Sequence, residues 1–458
     1  MTRPRILVVG AGFAGVACVR RLERRLTDRE ALITLLSPFS YQLYLPLLPQ
    51  VASGVLTPQS VALSLRRSER HRTRIVPGGA VGVDMEAKVC VVRTISGEFV
   101  TEPYDHLVLA PGSVTRSFDI PGLAEHGRGM KTLAEAVYIR DHVIAQLDLA
   151  DASTDEAERA ARLCFVVVGG GYAGTETAAC LQLLTHNAVK RYPRIDPRLI
   201  KWHLVDIAPK LMPELGDKLG TAAMNILTGR GIEVSLGVSV ASVDEEAVTL
   251  TDGRVLPSRT LIWTAGVAAS PLIGTLGAET LRGRLVVTPE MRVPGLDGVW
   301  ALGDAAAVPD LAKGEKGAIC PPTAQHAMRQ GKALADNVVA TLRREQTHPY
   351  VHKDLGLVVD LGGMDGVSKP LGVELHGMPA QAVARAYHWS ALRTNVAKTR
   401  VMTNWLLNAV AGDDFVRTGF LASKSGTLRD FERTDVYLTP EQVRLHTASF
   451  RGGVVGAG

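Results

Sequence analysis

The sequence predicts an α/β fold with two Rossmann-like dinucleotide-binding domains and a C-terminal region that contains an amphipathic helix. Residues 6–15 and 165–174 each run from a short apolar stretch through a GxGxxG triplet into helical spacing. Each triplet is followed, at nearly the same distance, by a second apolar stretch that ends in alanine and glycine. A pattern repeated in this way indicates an internal duplication.

Length and composition are consistent with this division. The chain has 458 residues, enough for two or three domains, and 46% of them are hydrophobic. The net charge of +5 is mild, and no dense basic block suggests a nucleic acid partner. No uncharged apolar run reaches the length of a transmembrane helix. The first predicted strand begins at residue 5, so we expect no signal peptide.

Cysteine usage predicts a reducing, cytoplasmic setting. The five cysteines are odd in number and scattered, without CxxC or zinc-type spacing, and we therefore expect no metal site. They are Cys18, Cys90, Cys164, Cys180 and Cys320.

The first glycine loop follows a predicted strand at residues 6–9. Gly10 lets the chain turn, Gly12 lets a pyrophosphate approach the backbone, and Gly15 lets the helix pack close to the strand. The helix that begins at Phe13 and Ala14 offers free N–H groups and a partial positive charge to phosphates. These five residues form the first predicted dinucleotide site.

The chain after this loop departs from the usual pattern at one point. A second strand at residues 31–36 ends at Ser37, where a Rossmann unit usually carries an acid for a ribose hydroxyl. Residues 40–49 are apolar and bounded by proline, and a buried connector is the simplest interpretation. Residues 75–103 alternate like strands, with a turn at residues 96–97.

The second copy begins with a strand at residues 164–168 and the loop Gly169-x-Gly171-x-x-Gly174. Its helix starts at Tyr172 and Ala173 and is predicted to run to about residue 184. The next strand, at residues 202–205, ends in an aspartate.

That aspartate, Asp206, distinguishes the two copies. A carboxylate there accepts hydrogen bonds from both ribose hydroxyls and repels a 2′-phosphate, which favours NADH over NADPH. A plain turn residue is the alternative interpretation.

Two further strand ends belong to the predicted sites. The strand before Ala110 and Gly112 corresponds to the strand at residues 260–263 before Ala265 and Gly266. The interval from Gly10 to Ala110 is 100 residues, and that from Gly169 to Ala265 is 96.

A third strand end, at residues 298–302, leads into Gly303 and Asp304. An aspartate in this position can accept a hydrogen bond from a hydroxyl group of a flavin ribityl chain. Alone, a Gly-Asp pair is a common turn. Its position after two Rossmann loops makes it a more specific indication of a flavin site.

With these motifs, the chain resembles the glutathione-reductase-like flavoproteins that contain two dinucleotide-binding domains. Within them it is similar to the type II NADH dehydrogenases, the NADH:quinone oxidoreductases that do not pump protons. The resemblance covers roughly residues 4–345. It rests on the two loops, residues 41–54, the Gly303-Asp304 pair and the segment 321–331.

The resemblance implies a role for each motif. It implies that FAD is held by the first loop and Asp304, together with Ser37, Pro46, Ala110 and Gly112. It implies that NADH is held by the second loop and Asp206, together with Ala265 and Gly266. Glu176 would lie next to the nicotinamide, and a first-turn acid that complements the helix dipole is the alternative. The quinone, menaquinone or ubiquinone, would meet Thr323, Ala324 and Gln325, although Gln325 is otherwise interpretable as a cap or surface amide.

The predicted domain limits follow from these assignments. Residues 1–125 and 286–345 would form the FAD-binding domain, residues 160–285 the NADH-binding domain, and residues 346–458 the C-terminal region. Trp389, Leu392, Val396, Leu407 and Val410 are predicted to share one helical face with positive charge nearby. This face would bind the cytoplasmic side of the cell membrane, or would instead pack on the core or form a homodimer. Without membrane binding the protein would be cytoplasmic.

Several rival functions stay open. A disulfide reductase is disfavoured because residues 39–54 contain no cysteine pair. A sulfide:quinone oxidoreductase would need a redox cysteine pair at the flavin. A soluble NADH-dependent reductase for another acceptor would lack a membrane face, and a redox-sensing FAD- and NADH-binding protein would turn over poorly.

Overall fold

The computed structural model confirms the α/β class, with one mixed sheet and one parallel sheet as its two largest sheets. It describes residues 3–68, 72–116, 118–315, 317–352, 356–412, 414–419, 426–431 and 436–452. Part of the predicted C-terminal region, including residues 420–425 and 453–458, lies outside the described residues.

The first sheet has seven strands around a parallel core. Its central strand, Arg5–Val9, is apolar and buried and pairs in parallel on both sides, as a strand covered on both faces requires. Two antiparallel strands extend the sheet at one edge. The order is Val299–Ala301, His106–Leu109, Arg5–Val9, Leu32–Ser37, Arg74–Asp84, Val89–Thr94 and Phe99–Pro103.

The second sheet has five strands, all parallel. Its strands come from residues 127–236 and 260–263, whereas those of the first sheet come from residues 5–109 and 299–301. The domain limits proposed above stay a prediction. The order is Gly127–Gly129, Thr260–Trp263, Cys164–Val168, Lys201–Asp206 and Ile232–Leu236.

Short strands complete the structure. An antiparallel pair, Ser113–Thr115 with Val267–Ala269, joins the segments that leave the two sheets. The remaining strands form small sheets: Tyr41–Leu43 with Ala62–Ser64; Val240–Val243, Ala247–Leu250 and Val255–Pro257; Thr280–Leu281, Arg284–Val286 and Ala306–Ala307; and Val358–Asp360, Gly366–Ser368 and Leu375–His376.

The longer helices cover the sheets and form the C-terminal region. They are Phe13–Arg25, Leu133–Ala152, Glu156–Arg162, Tyr172–Ala188, Asp217–Gly229, Ala324–Leu342, Met378–Ala391, Asn395–Ala411 and Pro440–Gly452. Short helices are Leu48–Ala52, Pro58–Val61, Leu65–Ser68, Leu123–His126 and Leu428–Phe431. The helix after the second glycine loop is four residues longer than predicted.

Close helix packing brings the third predicted segment onto the first glycine loop. The helix Ala324–Leu342 crosses the helix Phe13–Arg25 at Gly331. A Cβ atom on Gly331 would lie 2.3 Å from the carbonyl oxygen of Ala14. Only glycine allows this approach, so the crossing fixes the helix that carries Gln325 against the first loop.

The predicted single helical stripe in the C-terminal region is wrong. Residues 378–411 form two helices, and Thr394 interrupts them because its hydroxyl accepts a hydrogen bond from the Ala397 N–H at 3.2 Å and caps the second one. Leu392 lies buried between the helices, whereas Leu407 and Val410 are exposed. Within the described residues, no helix combines the length and apolarity needed to cross a bilayer.

The last helix, Pro440–Gly452, returns to the first sheet. Val443 packs on Gly82 of the antiparallel extension, where a Cβ atom would clash with the valine side chain. The Thr447 hydroxyl donates to the Asp84 carboxylate at 2.8 Å. The C-terminal chain therefore contacts the same sheet in which the first strand lies.

Candidate active site

The first glycine loop has the geometry that a pyrophosphate needs. Gly10 adopts a φ of +100°, and a Cβ atom there would lie 2.2 Å from the carbonyl oxygen of Ala110. A Cβ atom on Gly15 would lie 1.9 Å from the carbonyl oxygen of Gly10. Gly12 faces open space, with nothing within 4 Å of its Cβ position. The outer glycines serve packing, and the middle one leaves room for a ligand.

The second loop repeats this division of roles. Gly169 has a φ of +116°, and Gly174 packs against its carbonyl oxygen, 1.8 Å from the position of a Cβ atom. The Cβ position of Gly171 is open. Tyr172 and Ala173 begin the helix at this point. The two sequence triplets therefore make the same local structure.

The helices after both loops start without a side-chain cap. Neither Phe13–Arg25 nor Tyr172–Ala188 has a side-chain cap hydrogen bond or an acidic residue in its first turn. By contrast, Thr132 forms a capping box and Thr323 caps its helix. Uncapped N-termini present N–H groups and a partial positive charge, which suits the phosphates of FAD and NADH.

Asp206 is placed directly beside the second loop. One carboxylate oxygen accepts a hydrogen bond from the Gly170 N–H, and the other accepts one from the Ala208 N–H at 2.6 Å. Both bonds come from the backbone, so the side chain is held in one orientation at the strand end. The exposed Gly266 and half-buried Ala265 follow the strand Thr260–Trp263, which lies on the other side of Cys164–Val168 from the Asp206 strand.

Asp304 lies at the end of a first-sheet strand in a polar cluster. Its carboxylate accepts from the Ser113 hydroxyl at 2.5 Å, and the Lys131 ammonium donates to the same hydroxyl at 2.7 Å. The Gly303 N–H donates to the Gln330 amide oxygen at 2.8 Å. The predicted Gly-Asp pair is thereby tied to the helix that carries Gln325. The sequence analysis did not identify Ser113 or Lys131, which carry no motif.

The other residues that were predicted to contact FAD lie in separate local structures. The Ser37 hydroxyl is buried and donates to the carbonyl of Phe39 at 2.9 Å, within its own turn. Pro46 lies in a short 3₁₀ helix, Leu45–Leu47, in a segment that is mostly buried, as the connector interpretation expects. Gly112 has a φ of +75° next to the Asp304 cluster.

Glu176 is buried behind the second loop. Its Oε1 atom accepts a hydrogen bond from the backbone N–H of Asp360 at 3.0 Å. It lies beyond the first turn of its helix, so the alternative of a first-turn acid is wrong. Burial, and secondarily the nearby Asp360 carboxylate, raise the pKa of Glu176 well above its usual value, while the Asp360 N–H opposes this shift.

Asp360 is a functional candidate that the sequence analysis missed. Its buried carboxylate accepts hydrogen bonds from Gln50 at 3.0 Å, Gln381 at 3.3 Å and the Gly362 N–H at 2.8 Å. Arg385 donates to it at 3.3 Å. Because these partners are far apart in sequence, no local spacing pattern could have indicated the cluster.

Gln325 contacts the chain just before Asp360. Its amide nitrogen donates to the carbonyl of Gly356 at 3.3 Å, and its oxygen lies 3.0 Å from Nε2 of His352. Thr323 caps this helix through the His326 N–H, so Gln325 is neither a cap nor a plain surface amide. Ala324 is the first helical residue and is half-buried.

The cysteines and the possible metal ligands were the remaining candidates for redox or metal chemistry. All five cysteines are buried and none is disulfide-bonded to another, which disfavours the rivals that need a redox pair. Burial raises the pKa of Cys18, on the helix Phe13–Arg25, and of Cys90, in the first sheet, away from the reactive thiolate range. Among the residues that the structure describes, no cluster of three metal-ligating side chains occurs.

Comparison with known proteins places this fold and site. Residues 4–331 match the family described as pyridine nucleotide-disulphide oxidoreductase. This match agrees with the two loops and the Gly303-Asp304 cluster described above. It defines the broad class of flavoprotein.

Two curated relatives from Mycobacterium tuberculosis narrow this class. The type II NADH:quinone oxidoreductase Ndh is 30% identical over 419 residues, covering 88% of this chain and 87% of the relative. The type II NADH:quinone oxidoreductase NdhA is 35% identical over 332 residues, covering 69% of each. The chain belongs to the type II NADH:quinone oxidoreductase family.

A solved structure agrees with the fold. The structure of NDH2 from Plasmodium falciparum in complex with NADH has a TM-score of 0.83. It is 19% identical and covers 91% of this chain and 100% of that one. The agreement extends beyond residue 345, where the sequence resemblance weakened.

Proposed function

We propose that the chain passes hydride from NADH to FAD and two electrons onward to a quinone, with Glu176 and Gln325 as its principal side chains. One observation supports this assignment of residues. Glu176 and Gln325 are bonded to the two ends of one short segment, residues 356–360. Four residues of chain span at most about 14 Å, so the atoms that hold the two side chains lie close together.

The residues present fit FAD at the first loop. The open Cβ position of Gly12 and the uncapped helix leave room and N–H groups for the pyrophosphate, and Asp304 offers a carboxylate for the ribityl chain. When bound, FAD accepts a hydride and gives up electrons one or two at a time. The chain's task is to orient its reactants and exclude water.

NADH fits the second loop in the same way. Gly171 leaves space for the pyrophosphate, and Asp206 is oriented by backbone N–H groups to accept from a ribose. Glu176 lies one turn further along the same helix. A buried, protonated carboxyl group there can donate a hydrogen bond without placing a second negative charge near the phosphates.

Gln325 is assigned to the acceptor side. Its amide is oriented by His352 and the Gly356 carbonyl. A side-chain amide can donate to a quinone carbonyl, and this bond strengthens as negative charge develops on the oxygen during reduction. The His352 ring that contacts this amide in turn packs edge-on against the His326 ring, with 5.5 Å between the ring centroids.

Stopped-flow spectroscopy of the Gln325→Leu variant tests this proposal. Leucine keeps most of the volume and removes the donor, so we expect slower flavin reoxidation by a soluble quinone, by up to about 100-fold. Flavin reduction by NADH should be nearly unchanged. The control, Gln59→Leu, alters an exposed glutamine. If Gln325→Leu slows only the NADH step, the two faces are assigned the wrong way round.

Attachment to an anionic membrane surface is part of the proposal. Met402, Leu406, Leu407 and Val410 on the helix Asn395–Ala411 are exposed, and Arg400 on the same helix is exposed as well. An exposed apolar face with nearby basic residues suits the cytoplasmic face of a membrane. Burial of this face in a homodimer is the competing arrangement.

A further inference from the structure

The buried carboxylate of Asp360 connects three parts of the chain. Gln50 comes from the segment after the first glycine loop, and Gln381 and Arg385 come from the helix Met378–Ala391. Glu176 belongs to the helix after the second loop and accepts from the Asp360 backbone. One residue therefore contacts both dinucleotide-binding segments and the C-terminal region.

The donors around Asp360 suit a carboxylate anion. Two side-chain amides, one backbone N–H and one guanidinium converge on its two oxygens. Converging donors of this kind hold a carboxylate in one orientation, and the bond from a charged guanidinium is the stronger type. The aspartate side chain is only 5% exposed, so water screens its charge poorly.

The groups that face Glu176 are few. Asp360 contributes a negative charge from the C-terminal region, while Cys180 and Tyr172 lie on the same helix as Glu176. Two cations, Arg385 and Arg230, act on the Asp360 and Cys180 side of this cluster. Asp360 is therefore an anion beside Glu176 that a substitution can remove without changing the helix itself.

We propose that Asp360 is a positioning residue for Glu176: its peptide N–H fixes the carboxyl group, and its carboxylate sets the proton affinity of that group. The inference rests on the proposed function, which places Glu176 beside NADH. The direction of the Glu176 pKa, raised by burial and by Asp360, agrees with it.

The same network extends to the C-terminal helices. The Gln50 amide oxygen accepts from the Trp405 indole N–H at 2.7 Å, and the Arg385 guanidinium lies 5.3 Å from the centre of the Trp405 ring. Trp405 lies on the helix whose exposed face is the proposed membrane contact. Through these contacts, Asp360 connects that helix to the Glu176 carboxyl group, which the proposed function places beside NADH.

Infrared titration of the FAD-loaded protein tests the inference directly. The C=O band of protonated Glu176 is identified by its loss in Glu176→Gln, and its midpoint is followed against pH. Asp360→Asn removes the anion and keeps the backbone N–H, so we expect the midpoint to fall by about one pH unit. Glu374→Gln is the matched control, because Glu374 lies in the same small sheet region and pairs with Lys369 at 3.2 Å rather than with Arg385 or Arg230. An unchanged midpoint in Asp360→Asn would overturn the inference.

A second variant should shift the titration midpoint of Glu176 in the opposite direction. Arg385→Gln removes a cation from the cluster and should raise the Glu176 midpoint, and this result stands alone if Asp360→Asn does not fold. A midpoint that Arg385→Gln leaves unchanged or lowers contradicts the inference. The proposed function is judged separately: if Glu176→Gln leaves the pH profile of flavin reduction by NADH unaltered, the role of Glu176 fails, whereas the infrared result does not depend on it.

Discussion

Asp206 is the residue that bears most directly on nucleotide choice. Its carboxylate is held by two backbone N–H groups, from Gly170 and Ala208, so it cannot easily turn away from a bound ribose. A 2′-phosphate at the same place would meet a fixed negative charge. The preference should therefore come from repulsion as much as from hydrogen bonding.

Asp206→Asn tests this preference while keeping the side-chain volume and one acceptor. We expect the ratio of kcat/KM for NADH over NADPH to fall by about 10- to 100-fold, because an unfavourable charge pair of 1–3 kcal/mol is removed. Asp252→Asn, in an exposed hairpin turn of the same domain, should leave the ratio unchanged. Equal kcat/KM for both nucleotides in the unmodified protein would rule the prediction out.

The outer and the middle glycines of each loop meet different physical requirements. The outer glycines of each triplet are required by contacts with backbone atoms under 3 Å away, and the middle glycine is required only by a ligand. Substitution of Gly12 or Gly171 should therefore affect binding, whereas substitution of the outer glycines should affect folding. The same sequence motif carries both kinds of constraint.

At the scale of elements, the crossing of Phe13–Arg25 with Ala324–Leu342 determines how the acceptor side meets the first loop. Gly331→Ala would place a methyl group 2.3 Å from the Ala14 carbonyl oxygen. We expect a loss of about 1–3 kcal/mol in the free energy of unfolding, measured with urea, together with weaker FAD retention. Gly229→Ala, near which nothing lies within 4 Å, is the control. Unchanged stability in Gly331→Ala would show that the helices can separate freely.

The helix Met378–Ala391 introduces an acid-sensitive contact. His388 is buried against the Tyr44 hydroxyl at 3.1 Å, and burial lowers its pKa to about 4. The unfolded chain binds a proton near pH 6.5, so between these values it binds more protons than the folded protein. Stability from this group is therefore complete above about pH 6.5 and is lost as the pH falls toward 4.

His388→Gln should reduce this acid sensitivity. Urea unfolding at several pH values between 4 and 7 should show a smaller decline, by up to about 3 kcal/mol, than in the unmodified protein. Other buried histidines, including His142, also have a lowered pKa, so part of the decline should persist. His376→Gln at an exposed position is the control. An identical decline in the His388 variant would contradict the assignment.

At the scale of the whole molecule, the C-terminal region determines which surface is apolar. The helix Asn395–Ala411 buries Ala397 and Val401 against the rest of the protein and leaves its other side exposed. It is linked inward through Trp405 and Gln50 to Asp360. The helix with the exposed apolar side is therefore hydrogen-bonded to the cluster that contacts Glu176.

Binding to vesicles that contain anionic lipid tests the exposed face. The double variant Leu406→Ser, Leu407→Ser should weaken co-sedimentation by at least about 10-fold, because two largely exposed leucines would otherwise be buried. Leu281→Ser alters an exposed leucine in a different sheet and should bind normally. The dimer would be favoured instead if the unmodified protein does not bind vesicles and sediments as a dimer, and if the double variant sediments as a monomer.

Sequence reasoning recovered the elements whose signals are local. The strands Cys164–Val168 and Thr260–Trp263 have the predicted bounds, because a fully buried parallel strand reads as a short, uninterrupted apolar run. It failed in the C-terminal region, where a cap at Thr394 divides one apparent stripe into two helices. Hydrophobic periodicity alone cannot reveal such a break, because the residues on both sides of it have helical spacing.

The sequence by itself determined the α/β class, the duplicated glycine loops and the positions of Asp206 and Asp304, because each depends on spacing within one strand–turn–helix unit. Only the tertiary structure decided the surroundings of Glu176 and the crossing at Gly331. Glu176 and Asp360 are 184 residues apart, and Gln50 and Asp360 are 310 apart. Contacts between such distant residues depend on how completed sheets and helices pack, and no periodicity along the chain records that packing.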